Sequence, residues 1–285
     1  MTASQDINVL VVDLCAPGVA VRVTGPNERQ RTVPSFGDAI NAEAVVNADF
    51  FQFADYSPTG PALHAGNRWG GTDTNFVAPL LFGPNQVELP VNTKTDGLPD
   101  WATEVVSGHP SIVVDGAVRE NTTYAVCTAL NPRTAAGLSE DRKTLVLAVV
   151  DGRATDRIGM TCGELGALMI ELGAHSAVNL DGGGSSTMWL SDRGVVNHPS
   201  DGAPRVVANH LAIRANGAGP APFCVAPPGP VDPPVGDAGV GDAADPGEPG
   251  GEPTPDGGCA AAGNAGLGSA LAMIALLRRR RRATS

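Results

Sequence analysis

LVLAVVDGR, residues 145–153, is followed closely by GMTCGELGALMIELGAHSAVNLDGGG, residues 159–184. The first stretch opens on an apolar run that only a buried strand tolerates and stops at an acid and a glycine, Asp151 and Gly152. In the second, Thr161 and Glu164 have the T-x-x-E spacing of a capping box. Leu165, Leu168, Met169 and Leu172 follow at i, i+3, i+4 and i+7, which predicts an amphipathic helix ended by Gly173. Residues 177–180 return to a strand that again ends in acid and glycine, Asp181 and Gly182. Strand, helix, strand at this spacing predicts a crossover unit.

Working outward, strands are expected at 9–13, 19–24, 44–51, 112–114, 187–190 and 206–213, and a short helix at 35–42. Residues 56–71 are rich in Gly, Pro and His and read as a long loop over one edge. Short turns elsewhere suit antiparallel pairs, so the expected fold class is α+β: a mixed β-sheet core with a few packed helices in one domain. Asn47 and Asp49 interrupt an otherwise apolar strand, and buried polarity needs a reason.

Composition along the 285 residues is uneven, and it divides the chain into a domain at 1–217, a linker at 218–258 and a tail at 259–285. The linker is Pro, Gly, Ala and Asp with almost no large apolar side chains, so nothing in it offsets the entropy of ordering. Its acids, from Asp232 to Asp256, repel one another and extend it. The net charge of -11 makes nucleic acid a poor partner. After Cys259 comes an uncharged stretch, 260–277, closed by five arginines at 278–282. As a helix it would span about 27 Å against roughly 30 Å of hydrocarbon, a marginal anchor whose arginines would stay cytoplasmic. Gly-Gly-Cys, a small-residue helix and terminal arginines resemble the C-terminal sorting tags of myxobacterial surface proteins, which implies that Cys259 is a processing or lipidation point and that a sorting protease acts there. The N-terminal MTASQDINVLVVDLC shows no basic region of a signal peptide and runs straight into a strand.

The other cysteines number four, which allows three pairings. Cys127 with Cys162 would clip the loops flanking strand 145–150, and Cys15 with Cys224 would tie the first strand to the domain's exit. The alternative is four buried free thiols. Bridges would place the protein outside the cytoplasm, secreted or on the cell surface.

If the two acid-tipped strands are neighbours, Asp151 and Asp181 emerge at one sheet edge, where open sheets place ligands. Gly182, Gly183 and Gly184 let the backbone approach a ligand, and their amides with Ser185 could cradle an anion, although a tight turn explains a glycine run equally well. Arg133 and Arg153 flank the same strand and carry the fork that binds phosphate oxygens, the competing role being a surface salt bridge.

VNADFF, NPRTAAGLS, LVLAVVDGR, GMTCGELGALMIELGA, AVNLDGGGSSTMW and RVVANHLAI occur in order over most of residues 7–214. Together they resemble the phosphodiester glycosidase family, to which the N-acetylglucosamine-1-phosphodiester alpha-N-acetylglucosaminidase belongs. The resemblance implies hydrolysis of the bond between a sugar's anomeric carbon and a phosphate oxygen. On that reading Asp181 and Glu164 are acid/base or nucleophile candidates and Asp151 a supporting carboxylate. Arg133, Arg153 and residues 182–185 bind phosphate, and Asn47 and Asp49 meet sugar hydroxyls. Glu164 competes with its own structural role as the partner of Thr161. No cofactor is required, while a divalent cation at the paired aspartates is compatible with the pattern. The expected partner is a glycan or sugar phosphate bound by a monomer held at the membrane through its tail. A non-catalytic carbohydrate-binding or adhesion domain on the same fold is the alternative.

Overall fold

The computed structural model describes residues 4–71, 77–91, 97–119, 124–215, 217, 223–224 and, as backbone, 274–282. The fold is mostly β, with few helices and three antiparallel sheets. The largest sheet runs edge to edge through Ala117–Val118, Ser111–Val114, Ser176–Asn179, Arg133–Leu138, Thr144–Val150, Ser4–Asp13 and Ile274–Arg282. The second runs through Gly194–Val195, Met188–Leu190, Ala44–Asn47, His210–Arg214 and Ala20–Val23. Asn67–Trp69, Ala62–His64, Glu104–Gly108, Ala78–Gly83 and Gln86–Glu88 make the third, so the expected loop at 56–71 holds a short hairpin instead.

The mixed sheet is corrected by one strand. Arg133–Leu138 lies between Thr144–Val150 and Ser176–Asn179 and is antiparallel to both, pairing Ala135 with Ala148 on one side and with Asn179 on the other. The helix Cys162–Glu171 therefore carries the chain over an intervening strand, not between neighbours. Both acid-tipped strands still finish at one edge, because Arg133 opens the middle strand opposite Val150.

Alternation sorts the side chains. Leu10, Leu147, Ala136 and Val178 face a core shared with Val46, Leu211, Leu80 and Val106 of the other two sheets. Val9, Ala148, Ala135 and Ala177 face the other way and are covered by Leu165, Leu168 and Met169. That face of the Cys162–Glu171 helix is the one its apolar spacing marks. The N-terminus of the helix is closed by the full capping box, Thr161 accepting from Glu164 N–H at 3.3 Å and Glu164 from Thr161 N–H at 2.8 Å.

Both expected disulfides are present. Cys127–Cys162 joins the short helix Ala125–Thr128 to the start of the long one, and Cys15–Cys224 joins residues 209 positions apart. Ile274–Arg282 extends the large sheet, with Val12 opposite Ile274 and Asn8 opposite Arg278. Of the apolar stretch expected as a helix at 260–277 only 274–277 are described, and they belong to this edge strand, which pairs the otherwise open row of amides and carbonyls on Ser4–Asp13. Apart from Phe223 and Cys224, residues 218–273 lie outside the described residues, and with them the linker and Cys259. No helix among the described residues is long and apolar enough to cross a membrane.

Candidate active site

Asp181 leaves the end of Ser176–Asn179 and is pinned between two sheets. Leu180 N–H donates to Thr134 O and Asp181 N–H to Ala48 O, each at 2.8 Å, and Asn47 Nδ2 donates to the Asp181 carbonyl at 2.6 Å. Its carboxylate accepts Gly182 N–H at 2.9 Å and opens into a cleft of about 260 Å³. Arg133, Arg153, Arg205 and residues 182–184 line the same cleft, with Phe50, Val126 and Asn131 as its walls. Asp181 is the one acid of that lining. Burial pushes its carboxyl up to about 6, opposed by the Ser185 hydroxyl, the Gly182 amide and the Arg205 charge.

The three arginines are held in different ways. Arg133 is 1 % exposed, with Nε on the carbonyl of Met160 and Nη2 on that of Ala129, each at 2.8 Å. Burial, and then the nearby Arg153 charge, lower it to about 10, while Glu164 opposes the shift. Arg153 is exposed and donates from Nε to Asn131 Oδ1 at 3.3 Å. Arg205 donates from Nε to Asp201 Oδ2 at 2.9 Å and from Nη1 to Ser185 Oγ at 3.4 Å. Arg205 joins the lining without being among the residues expected there. An arginine four residues after an acid reads as an ordinary surface pair, and only the fold folds that pair over the glycine turn.

The glycine run works differently from a backbone cradle. Gly183 N–H donates to Pro132 O at 2.9 Å, Ser185 N–H to Gly182 O at 3.1 Å within the 3-10 turn Gly183–Ser185, and Gly182 N–H to the Asp181 carboxylate, so three amides of the run are engaged within the protein. What the glycines provide is space. Gly183 has φ +60°, and a Cβ there would sit 2.8 Å from Arg153 Nη2. A Cβ on Gly184 would collide with Arg205 and Asp201. Removing those methyl groups lets two guanidinium groups close on the turn.

Other expected site residues support the cleft from behind or lie off it. Asn47 is fully buried, its Oδ1 accepting from Thr134 Oγ1 at 2.8 Å and Thr187 N–H at 3.1 Å. Asp49 accepts from Ser107 N–H at 2.8 Å and Asn209 Nδ2 at 2.6 Å, and burial raises its carboxyl well above the usual range. Neither is among the residues lining the cleft, and both brace the strand ends behind it. Glu164 is occupied by Thr161 and is also off the lining, which leaves it the capping role. Asp151 turns away from Asp181. It is fully buried, accepts from Asn197 Nδ2 at 3.0 Å and His198 N–H at 2.9 Å, and meets His198 Nδ1 at 3.0 Å. The side chain of Asp151 groups with residues other than Asp181. Asp6, Asp151 and His198 present ligand atoms within 4.8 Å of one another, the one cluster of that kind among the described residues, and Asp181 is not part of it.

Residues 40–214, which hold the cleft and both acid-tipped strands, match the phosphodiester glycosidase family. The chain belongs to this family of hydrolases. The SPbeta prophage-derived uncharacterized protein YomE of Bacillus subtilis is 38 % identical over 92 residues, a stretch covering 32 % of this chain and 14 % of that protein. Among solved structures, the catalytic domain of zebrafish N-acetylglucosamine-1-phosphodiester alpha-N-acetylglucosaminidase, auto-inhibited by its pro-peptide, superposes with a TM-score of 0.55 at 20 % identity, covering 72 % of each chain. A protein of Burkholderia pseudomallei named as exported superposes with a TM-score of 0.54 at 19 % identity, covering 73 % of each chain. A hypothetical protein from Synechocystis gives 0.54 at 15 % identity, covering 74 % of this chain and 59 % of that one. At these identities the structural matches speak for the fold alone.

Proposed function

We propose that this phosphodiester glycosidase hydrolyses the bond between an anomeric carbon and a phosphate oxygen in a sugar-1-phosphodiester of N-acetylglucosamine type, such as occurs in envelope or exopolysaccharide glycans. One observation carries the reading: a single carboxylate, Asp181, shares a cleft with three guanidinium groups. A phosphodiester is anionic and already a good leaving group, so a site for it needs cations for the phosphate and one base, not the two carboxylates of an ordinary glycosidase. Arg153 and Arg205 bind the phosphate oxygens with Arg133 behind them. Asp181, raised to about 6, is poised to take a proton near neutral pH. It removes a proton from water as the water oxygen bonds to C1. The C1–O bond breaks with its electron pair going to the phosphate, which leaves as a phosphomonoester. Attack by water from the opposite face inverts C1.

Two disulfides support an extracytoplasmic site of action, as does the exported relative from Burkholderia. The tail from Cys259 onward serves surface sorting in this reading, the protein works as a monomer, and no cofactor enters the reaction. The test is incubation of the full chain with the methyl diester of N-acetylglucosamine 1-phosphate, followed by proton NMR. Release of free sugar, first as the inverted anomer and abolished by Asp181→Asn, is expected. Retained binding without release by the unaltered protein would replace the enzyme with a carbohydrate-binding module.

A further inference from the structure

We infer that Asp6, Asp151 and His198, with Asn8 beside them, form a binding site for one divalent transition-metal ion of the zinc type, a structural ion separate from the cleft. Asp6 lies on the first strand, Ser4–Asp13, Asp151 just past the end of Thr144–Val150, and His198 on the segment that follows Gly194–Val195. The ladder brings the two acids together, because Asp151 N–H donates to Asp6 O at 2.9 Å. Both carboxylates are buried, and His198 Nδ1 stands 3.0 Å from Asp151 Oδ2 and 3.9 Å from Asp6 Oδ2. Two ligand atoms on one zinc ion, each at about 2.0–2.2 Å, are at most about 4 Å apart, so both separations suit a shared ion. An ordinary Asp–His pair needs one acid, and this imidazole has two within reach.

Two features around the cluster point to a ligand. Oδ1 of Asp151 is already taken, accepting from Asn197 Nδ2 at 3.0 Å and from His198 N–H at 2.9 Å, so Oδ2 is the atom turned toward the imidazole. Hydrogen bonds of this kind orient a carboxylate for a metal. Independently, Asn8 is 1 % exposed, and neither its Oδ1 nor its Nδ2 has a hydrogen-bond partner among the described residues. Alternation along Ser4–Asp13 puts Asn8 on the same face as Asp6, between it and Leu10. A buried amide left unpaired is unfavourable, and an ion at the carboxylates gives its oxygen a cation to bind. His198 is half exposed, which supplies the entry path and leaves room for a water ligand. The imidazole decides the metal class, since calcium and magnesium take oxygen ligands whereas zinc takes imidazole and carboxylate together. On binding, the ion takes the place of the proton between His198 Nδ1 and Asp151 Oδ2, and that proton passes to solvent. The ion would pin the start of the first strand to the end of Thr144–Val150 and to the His198 segment.

The test uses full-length protein stripped with EDTA, returned to chelator-free buffer and titrated calorimetrically with zinc chloride. One ion binds per site, and His198→Ala, a change at a half-exposed side chain, weakens it by about tenfold or more, with Asn8→Ala weakening it by about threefold or more. Zinc at a hundred times Kd raises the Tm of the unaltered chain by about 5–10 °C and leaves that of His198→Ala unmoved. X-ray absorption at the zinc edge of the loaded protein, which needs no variant, shows one imidazole and oxygen ligands at about 2.0–2.2 Å. Absence of zinc binding, zinc binding that is the same in His198→Ala, or a sulfur ligand in the absorption spectrum would each overturn the site.

Discussion

Asp181→Asn is expected to abolish turnover and yet make the folded chain more stable at alkaline pH. Burial holds the Asp181 carboxyl at about 6, against 3.8 for the ordinary group. At about 1.4 kcal/mol per pH unit that gap corresponds to roughly 3 kcal/mol, and the partial exposure of the carboxylate to the cleft reduces it to about 1–3 kcal/mol. The raised value means that the folded state holds the proton more tightly than the unfolded chain. The associated stability is complete below 3.8 and is lost as pH rises through about 6. Above that range the native protein carries a buried charge that the amide variant lacks. The gain of Asp181→Asn over the native chain should therefore grow by about 1–3 kcal/mol between pH 4 and pH 8, with a Tm difference of about 2–4 °C per kcal/mol. Urea unfolding at a series of pH values measures this. An offset that stays the same at pH 4 and pH 8 would show that the carboxylate is not held in the way described. Turnover by the native protein should rise with pH through about 6, as the base becomes ionised.

Glu164→Ala loses half of a capping box and should cost about 1 kcal/mol in urea unfolding while leaving kcat/KM within about twofold, since Glu164 is off the cleft lining. Gly183→Ala places a methyl group against Arg153 at a φ of +60°, so KM should rise about tenfold or more with far-UV circular dichroism preserved. Arg133→Met takes a donor from the Ala129 carbonyl and leaves the Met160 carbonyl with only the Asn131 N–H at 3.3 Å, and chemical denaturation should report a loss of about 1–3 kcal/mol. His210 is buried and held down to about 3, so it folds neutral. Its contribution is intact above 6.5 and drains away as pH falls toward 3, and His210→Gln should flatten the acid limb of stability against pH.

The sequence shows most clearly what its local chemistry controls. The capping box, the helix it starts and the acid-glycine strand ends are written in a few adjacent residues, and so was the family resemblance. The middle strand of the large sheet was not legible, because RTAAGL holds a single β-branched residue, Thr134, among small and flexible ones and owes its state to the neighbours it pairs with on both sides. Its insertion turned an expected mixed sheet antiparallel. The third sheet was hidden in the same way behind Gly and Pro, whose turn signals outweighed three-residue strands such as Ala62–His64. In the cleft, Asp181, Arg133 and Arg153 could be named from motif and position. Arg205 could not, since its place in the lining comes from a later segment whose guanidinium reaches back to Ser185. Asn47 and Asp49 stand out in the sequence as polar groups in an apolar strand, and in the fold both are buried and hydrogen-bonded to neighbouring strands.

The Cys127–Cys162 bridge lies directly behind one wall of the cleft. Cys127 belongs to the segment that supplies Val126 to the lining and the Ala129 carbonyl to Arg133. Ala125–Thr128 is a single short helical turn, held by that covalent link together with the packing of Tyr124, Val126 and Cys127 against the core and the hydrogen bond from Arg133 to Ala129. Thiol reductants would thus reach the protein at two places at once, loosening the cleft wall behind Val126 and untying the end of the first strand from the chain's exit.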